Sequence, residues 1–332
     1  MGKDWLSQNK DKWGIIILLF LGLIISPFAG IYITSIMIFI GIYTIFSTGF
    51  ILILGYADQL VLCANAFMGI GAYTSGILTT KYSIHPLFAL MIAAVMTGSI
   101  AYLLGKTLLQ LKGLFLGMTT LAFALVFFYF ATEQIGLTGG SAGLPGIPYI
   151  SLGGITLDTD LKYIYFVWPT AMGSIAVALN LVNSRFGQTL RAIGSNETAA
   201  MTLGIDAVKY KNQALVLHAI FSSVAGSLYA HYLTFIDPDV FFFNLLLMVS
   251  AMVILGGMYS VWGGPLGAAI IVLLSQFLRE LMTDITGTAS AEYELLIYGL
   301  IIIVVMMRFT HGLAPALRSI FTWLRPSHHR NT

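Results

Sequence analysis

The chain has 332 residues, of which 58% are hydrophobic and only 9% charged, with a formal net charge of +2. A soluble domain usually carries about 25% charged residues, so this composition excludes one and points to a polytopic, multi-pass membrane protein. No basic run is dense enough to bind nucleic acid, and a single cysteine, Cys63, excludes an intrachain disulfide.

Taken in order, Met1 to Trp13 carries Lys3, Lys10 and Lys12 ahead of an apolar run. With no small-residue cleavage site before a soluble domain, it reads as the flank of a retained first span. Gly14 to Leu54 is apolar for about twice the ~20 residues one span needs. Ser26-Pro27-Phe28-Ala29-Gly30 breaks it into a hairpin of two spans. Gly55 to Gln59 turns the chain, and a third span runs to about Thr80. After a turn at Lys81 to Pro86, a fourth span reaches about Leu104. Lys106 and Lys112 mark a short loop, and a fifth span ends near Ala131. Thr132 to Lys162 is a Gly- and Pro-rich loop with Glu133, Asp158 and Asp160. The sixth span, Tyr163 to Val182, leads into a polar interruption, Asn183 to Asn212. Spans seven (Gln213 to Phe235), eight (Phe242 to Leu255), nine (Leu266 to Leu281) and ten (Leu295 to Met307) follow, then a tail with Arg308, Arg318, Arg325 and Arg330.

The positive-inside rule makes this a consistent ledger. Both termini, Lys106, Lys112 and the interruption fall on the cytoplasmic side; the acidic loop, Asp237, Asp239 and Asp284 fall outside, with Lys81 and Arg279 as outward exceptions. The expected fold is all-α, about ten transmembrane helices in one integrated domain over 1–332. Spans two to five and seven to ten would run in opposite directions, as an inverted repeat requires.

The interruption predicts a docked elbow. Ser184 caps a short helix that Gly194 stops, and Ser195 or Asn196 caps a second that Gly204 stops. Glu197 falls in the first turn of the second, where its charge complements the helix dipole. Helices this short are marginal alone in water, so the pair must dock on something. Arg185, Arg191, Lys209 and Lys211 put it on the cytoplasmic side.

Three stretches together resemble the permease subunits of bacterial ABC importers for branched-chain amino acids. They are Gly55-Tyr-Ala-Asp-Gln-Leu-Val-Leu-Cys-Ala-Asn-Ala-Phe-Met-Gly-Ile-Gly-Ala-Tyr73, Leu137-Thr-Gly-Gly-Ser-Ala-Gly-Leu-Pro-Gly-Ile-Pro148, and the elbow with Phe235-Ile-Asp-Pro238 and Leu255-Gly-Gly-Met-Tyr-Ser-Val-Trp-Gly-Gly-Pro-Leu-Gly-Ala268. Order and spacing match from roughly Ile33 to Phe309. The resemblance implies a second, similar permease, two cytoplasmic ATPase subunits carrying the ATP and Mg, an external substrate-binding protein, and the bacterial inner (plasma) membrane as location. It also implies that the elbow is the ATPase-coupling loop. Glu197, Ala200 and Gly204 then stand at the family's Glu-Ala-Ala…Gly pattern, Thr198 replaces its first Ala, and Arg191 is grouped with them. The family usually has Gly where this chain has Asp58 and Cys63, Ser at Val61, His or Gln at Ala64, and Ala at Asn65. Those departures leave urea, a short amide or another small polar solute as alternatives to a branched-chain amino acid.

Asp58, Gln59 and Asn65 are the clustered polar candidates for the solute pathway, since such groups at membrane depth usually face a bundle interior or a water-filled cavity. The bland alternatives are a headgroup position for Asp58 and an interhelical hydrogen bond for Asn65. Gly256, Gly257, Gly263, Gly264 and Pro265 around Trp262 read as an interfacial turn with a secondary gating role. Gly139-Gly-Ser-Ala-Gly143 matches G-x-S-x-G, but an inter-span loop is not the strand-turn-helix that a nucleophile needs. Gly105-Lys-Thr107 imitates the end of a phosphate loop, yet Ile100 stands where its first glycine belongs. No ATP site, metal site or other cofactor site is therefore expected on this chain, nor enzymatic chemistry. An ion-coupled secondary carrier, the competing class, predicts acidic residues deep in several spans, and apart from Asp58 the charges sit at span ends.

Overall fold

The computed structural model describes residues 30–286 and 299–300. The expected first span, the hairpin turn at 26–30 apart from Gly30, the tenth span at 295–307 apart from 299–300, and the arginine tail lie outside them. Ten helices carry the architecture: α1 (Ile31–Ile51), α2 (Ala64–Thr80), α3 (Pro86–Leu108), α4 (Leu114–Glu133), α5 (Asp160–Asn183), α6 (Arg185–Ser195), α7 (Glu197–Thr202), α8 (Ala207–Leu233), α9 (Phe243–Gly256) and α10 (Gly263–Thr286). A wider π turn, Leu52–Tyr56, extends α1. With that extension, α1, α3, α4, α5 and α8 are the five helices among the described residues that are long and apolar enough to cross a membrane.

Apolar residues occupy every side of these helices rather than one stripe, as expected where lipid replaces water and the backbone must satisfy itself. α1 and α8 form the central pair. α1 contributes Ile38, Ile42, Ile45, Phe46 and Phe50 to the core, all 1% exposed or less. α3 and α4 lie outside them, turning Phe88, Met91, Val95, Leu114, Phe115 and Val126 outward. α8 packs on α2 and α3, while α1 packs on α9 and α10. The α2–α8 crossing is close because both backbones present glycine. A Cβ at Gly71 would press on Ser223, and one at Gly226 on the Met68 carbonyl, the small-residue contact of membrane helix pairs. Ser227 Oγ donates to Gly71 O at 3.2 Å across it.

Two helices fall short of a span. At about 1.5 Å per residue, α2 with 17 residues and α9 with 14 cover roughly 26 and 21 Å of a ~30 Å core. Each follows an irregular stretch, 57–63 before α2 and 234–242 before α9. The expected third span starts late for this reason: the chain stays non-helical to Cys63. The seventh starts early, since α8 already begins at Ala207, six residues before Gln213.

The far end carries two small antiparallel ladders. β1 (Leu144–Pro145) pairs with β4 (Phe235–Ile236) in the register Leu144↔Ile236, and β2 (Ser151–Leu152) pairs with β3 (Ile155–Thr156). They fold the 139–158 loop into a cap over the ends of α2 and α8.

Candidate functional site: the elbow between α5 and α8

The two short helices form where the pattern placed them, with one change of boundary. α6 runs through Gly194 to Ser195, so Gly194 does not stop it. Instead Gly194 lets the α6 backbone close on the end of α1: a Cβ there would lie 3.1 Å from Tyr56 O and 3.4 Å from Asp58 Cβ. Ser184 flanks α6 without capping it, its Oγ donating back to Leu181 O at 2.6 Å. Asn196, rather than Ser195, caps α7, its Oδ1 accepting from Ala199 N at 3.0 Å. Gly204, left-handed at φ +83, ends α7 as expected, with its N–H on Met201 O at 3.0 Å.

An ionic root holds this pair to the bundle. Lys211, one turn into α8 and 1% exposed, donates to Glu197 Oε1 at 2.9 Å. Lys112, just before α4, lies 3.6 Å from Glu197 Oε2. Burial works against ionising Glu197, but the hydrogen bond and charge of Lys211, then those of Lys112, outweigh it and hold the carboxyl below its ordinary range. Beside the root, Ile193, Ala200 and Ala207 make a small core with Ile205 and Tyr210. The Arg191 guanidinium stands over the Tyr56 ring at 5.1 Å from its centroid, tying α6 to the end of α1. Away from the bundle the elbow presents Met201, 54% exposed, and Leu203, 82% exposed, next to exposed Gly204.

The four residues expected to couple thus divide. Glu197, Ala200 and Arg191 anchor the elbow, whereas Gly204 belongs to its outward tip. The three residues expected to line the pathway divide as well. Asp58 and Gln59 line a cleft of about 310 Å³ against the elbow, with Lys112, Glu197 and Lys211. Asn65 lies inside the bundle, 3% exposed, at the start of α2, where Nδ2 donates to Phe241 O at 2.9 Å and Phe242 O at 3.3 Å at the start of α9. The N-termini of the two short helices meet there, and Asn65 Oδ1 has no partner among the described residues.

The Gly256–Pro265 turn is packed into the elbow end of the bundle. Gly55 abuts the Met258 carbonyl, Gly263 abuts Gly257, and Ser47 Oγ lies 3.1 Å from Gly264 O. Gly257 takes φ +114, and Pro265 occupies the first turn of α10, where its missing N–H costs nothing. Tyr56 OH donates to Tyr259 O at 3.2 Å, so turn, α1 end and α6 form one contact chain.

Sequence reasoning missed two features. It set Lys211 beside Lys209 as an ordinary inside charge, although Lys209 is exposed and Lys211 buried. It also gave His231 no role. His231, fully buried near the far end of α8, donates from Nδ1 to Pro148 O at 2.7 Å, which leaves Nε2 to accept from Ser75 Oγ at 2.8 Å. The available signal was a lone histidine two residues before a span's polar end.

The fold and its elbow agree with what comparison finds. Residues 32–306 match the family described as branched-chain amino acid transport system / permease component. Over 300 residues the chain is 31% identical to the high-affinity branched-chain amino acid transport system permease protein LivM of Escherichia coli strain K12, covering 83% of this chain and 68% of that one. Its counterpart LivM in Salmonella typhimurium is 28% identical over the same shares. A Methanocaldococcus jannaschii protein named "Probable branched-chain amino acid transport permease protein LivH" is 30% identical over 143 residues, 42% of each chain. No solved structure matches the chain. These relatives are transport permeases rather than enzymes, and the chain belongs to the branched-chain amino acid transport permease family.

Proposed function

We propose that this chain is the membrane-spanning permease subunit of a binding-protein-dependent ABC importer, carrying branched-chain amino acids by ATP-driven alternating access. It sits in a bacterial inner membrane with the elbow and both termini cytoplasmic. A second permease pairs with it, two ATPase subunits carry ATP and Mg and grip the elbows, and a solute-binding protein docks outside. The observation that carries this reading is the build of the elbow: an apolar tip, Met201 and Leu203, on two short helices fixed to the bundle by an ionic root on the buried Lys211. Exposed apolar side chains beyond the bundle, rimmed by polar residues, mark a surface for a soluble partner. A root that is rigid but ionic lets a push at the tip reach α8, the turn and the end of α1.

Two further observations support parts of it. Likeness to proteins named as LivM and LivH fits a paired permease of the same family. The packing of α8 on α2 and α3, mirrored by α1 on α9 and α10, fits an inverted repeat whose two short helices meet at Asn65. An ion-coupled carrier finds little to work with: among the described residues Lys211 is the one buried charge, and it lies at the elbow.

The test is ATP-driven leucine uptake in proteoliposomes holding the chain with the products of its neighbouring genes. Leu203→Glu is expected to cut uptake at least tenfold and to lose ATPase co-purification, with membrane insertion unchanged. Full uptake by that variant, or uptake by the isolated chain without nucleotide, overturns the coupling role of the elbow.

A further inference from the structure

The bias that gathers basic residues at the elbow end is broken by Lys81, exposed at the end of α2 beside the cap. Its ammonium donates to Gly136 O and, at 3.0 Å, to Leu137 O, both neutral acceptors, and one of its three N–H groups is left over. No carboxylate pairs with it among the described residues. Glu133, at the end of α4, does not reach it, and Lys162, the other described lysine at that end, is taken by Asp158 at 2.7 Å. Tyr82, 67% exposed, follows Lys81 in the manner of an interfacial aromatic. Lys81 thus carries an unanswered positive charge at headgroup level.

Leu137, whose carbonyl Lys81 holds, also closes one end of an apolar groove of about 480 Å³, where α3 and α4 stand apart over α2. Ile70 and Ile77 of α2 make its floor, Met96 and Ile100 of α3 one wall, and Phe123 and Phe130 of α4 the other. The rim opens sideways toward lipid, with Met96 48% and Phe130 50% exposed. Its threonine hydroxyls are taken by protein acceptors, Thr74 Oγ1 by Met96 Sδ at 3.7 Å and Thr138 Oγ1 by Ala131 O at 2.7 Å. From Ile70 to Leu78 the groove follows α2 for roughly 12 Å, close to the ~15 Å that one leaflet fills of a ~30 Å hydrocarbon core.

We infer that this groove holds one acyl chain of an anionic glycerophospholipid from the leaflet on the cap side, with the lipid phosphate on Lys81. A tail gains little by leaving other tails for an equally apolar wall, so the groove sets where the chain lies and Lys81 sets which headgroup it carries. A single lysine near the surface favours an anionic lipid about fivefold. An apolar helix of another subunit in the same groove leaves the Lys81 charge unanswered. That the leaflet is the outer one rests on the elbow being cytoplasmic; the site itself does not.

The test places the full chain in phosphatidylcholine nanodiscs carrying a small fraction of a lipid with a photoreactive diazirine in mid-chain, either phosphatidylglycerol or phosphatidylcholine, and maps the labelled residues by peptide mass. Phosphatidylglycerol should label 70–78, 96–100 and 123–130 about fivefold more than phosphatidylcholine does. Lys81→Gln should bring that ratio to one, and Lys81→Arg should keep it. Ile77→Trp, which fills the groove, should abolish labelling there, while Val95→Trp on the outward face of α3 should leave it unchanged. A wild-type ratio near one, a ratio unchanged in Lys81→Gln, or labelling no denser in the groove than at outward Phe88 and Met91 overturns the inference. In the complex assembled with the products of the neighbouring genes the same labels are expected. Their loss there makes the groove a seat for another subunit and overturns the lipid reading. Uptake is not measured, so failure leaves the importer reading standing.

Discussion

The two ends of the bundle are closed by different chemistry. At the far end, the buried hold of the cap is neutral: the β1–β4 ladder, Ile147 N–H on Thr234 O at 3.1 Å, and the Ser75–His231–Pro148 chain, with charges only at its exposed rim, where Lys162 pairs with Asp158 and Lys81 donates to the Gly136 and Leu137 carbonyls. Leu144, Ile147 and Ile150 are buried beneath it, Leu144 and Ile147 against Gly76 of α2. At the near end, Leu190 and Phe186 seat α6 on the main core, whereas α7 has only a few small apolar contacts and is held by Glu197 with Lys112 and Lys211, beside the Arg191–Tyr56 stack. Neutral, directional bonds to backbone carbonyls define one geometry and respond little to salt or acid. Charges respond to both, and to whatever approaches them. The end proposed to receive a stroke is thus the end whose hold can be altered from outside.

The largest break in this contrast should come from Glu197→Lys. It removes the counterion of a lysine that is 1% exposed and sets a third cation beside Lys112 and Lys211. Stripping one partner from a fully buried pair costs about 3–5 kcal/mol; the Glu197 side chain is 21% exposed, so the cost falls below that range, and α7 should leave its seat while the apolar helices still insert. Limited proteolysis should then cut within 183–206 and leave the cap intact, with ATP-driven uptake lost. Uncut elbow and normal uptake together would show that the root does not hold it.

His231→Ala is the matching cut at the far end. It orphans the buried Ser75 Oγ, at about 1–3 kcal/mol, and releases the carbonyl of exposed Pro148 to solvent. Amide exchange should rise in 144–150 and stay unchanged in the elbow, with the same loss at low and high salt. A salt-dependent loss there would erase the distinction between the ends.

Acid should separate them too. Glu197 is held below its ordinary value of 4.5, so its contribution is present above that value and disappears as pH falls through the lower folded one. The elbow should become protease-sensitive below about pH 4.5 while the cap keeps its protection. Glu197→Gln should show the sensitivity already at pH 7, and cleavage of both ends at the same pH would contradict the assignment.

How far these ends were legible follows from what kind of contact each uses. Gly204 and Asn196 act through local backbone geometry, and both were readable from chain order alone. Gly194 misled for the same reason: a glycine in a polar run reads as a stop, whereas here it serves a contact with Tyr56 and Asp58, some 136 residues away. Asp58 and Asn65 looked like one cluster because seven positions part them, but the stretch between them is non-helical to Cys63 and carries the second into the bundle. Lys211 and Lys209 are indistinguishable by composition, and only the position of the α8 helix start at Ala207 turns one inward. The order of long apolar helices was legible because lipid imposes it on composition, while the short α2 and α9 broke the span arithmetic where their N-termini meet.

Arg191 offers the finest adjustment to the contrast. Its guanidinium over the Tyr56 ring is a partly exposed cation–π contact, of the kind that contributes about 0.5–1 kcal/mol. Arg191→Gln keeps the stem of the side chain and removes the charge, so the elbow should stay seated on Glu197 and Lys211. What should change is the tie between α6 and the end of α1. Because Tyr56 OH also reaches Tyr259 O in the Gly256–Pro265 turn, a looser α6 leaves that turn without its link to the tip. Uptake should fall severalfold while ATP hydrolysis by the assembled complex continues, so that more ATP is spent per solute moved. Equal falls in both rates would mean that Arg191 merely steadies the elbow and passes nothing on.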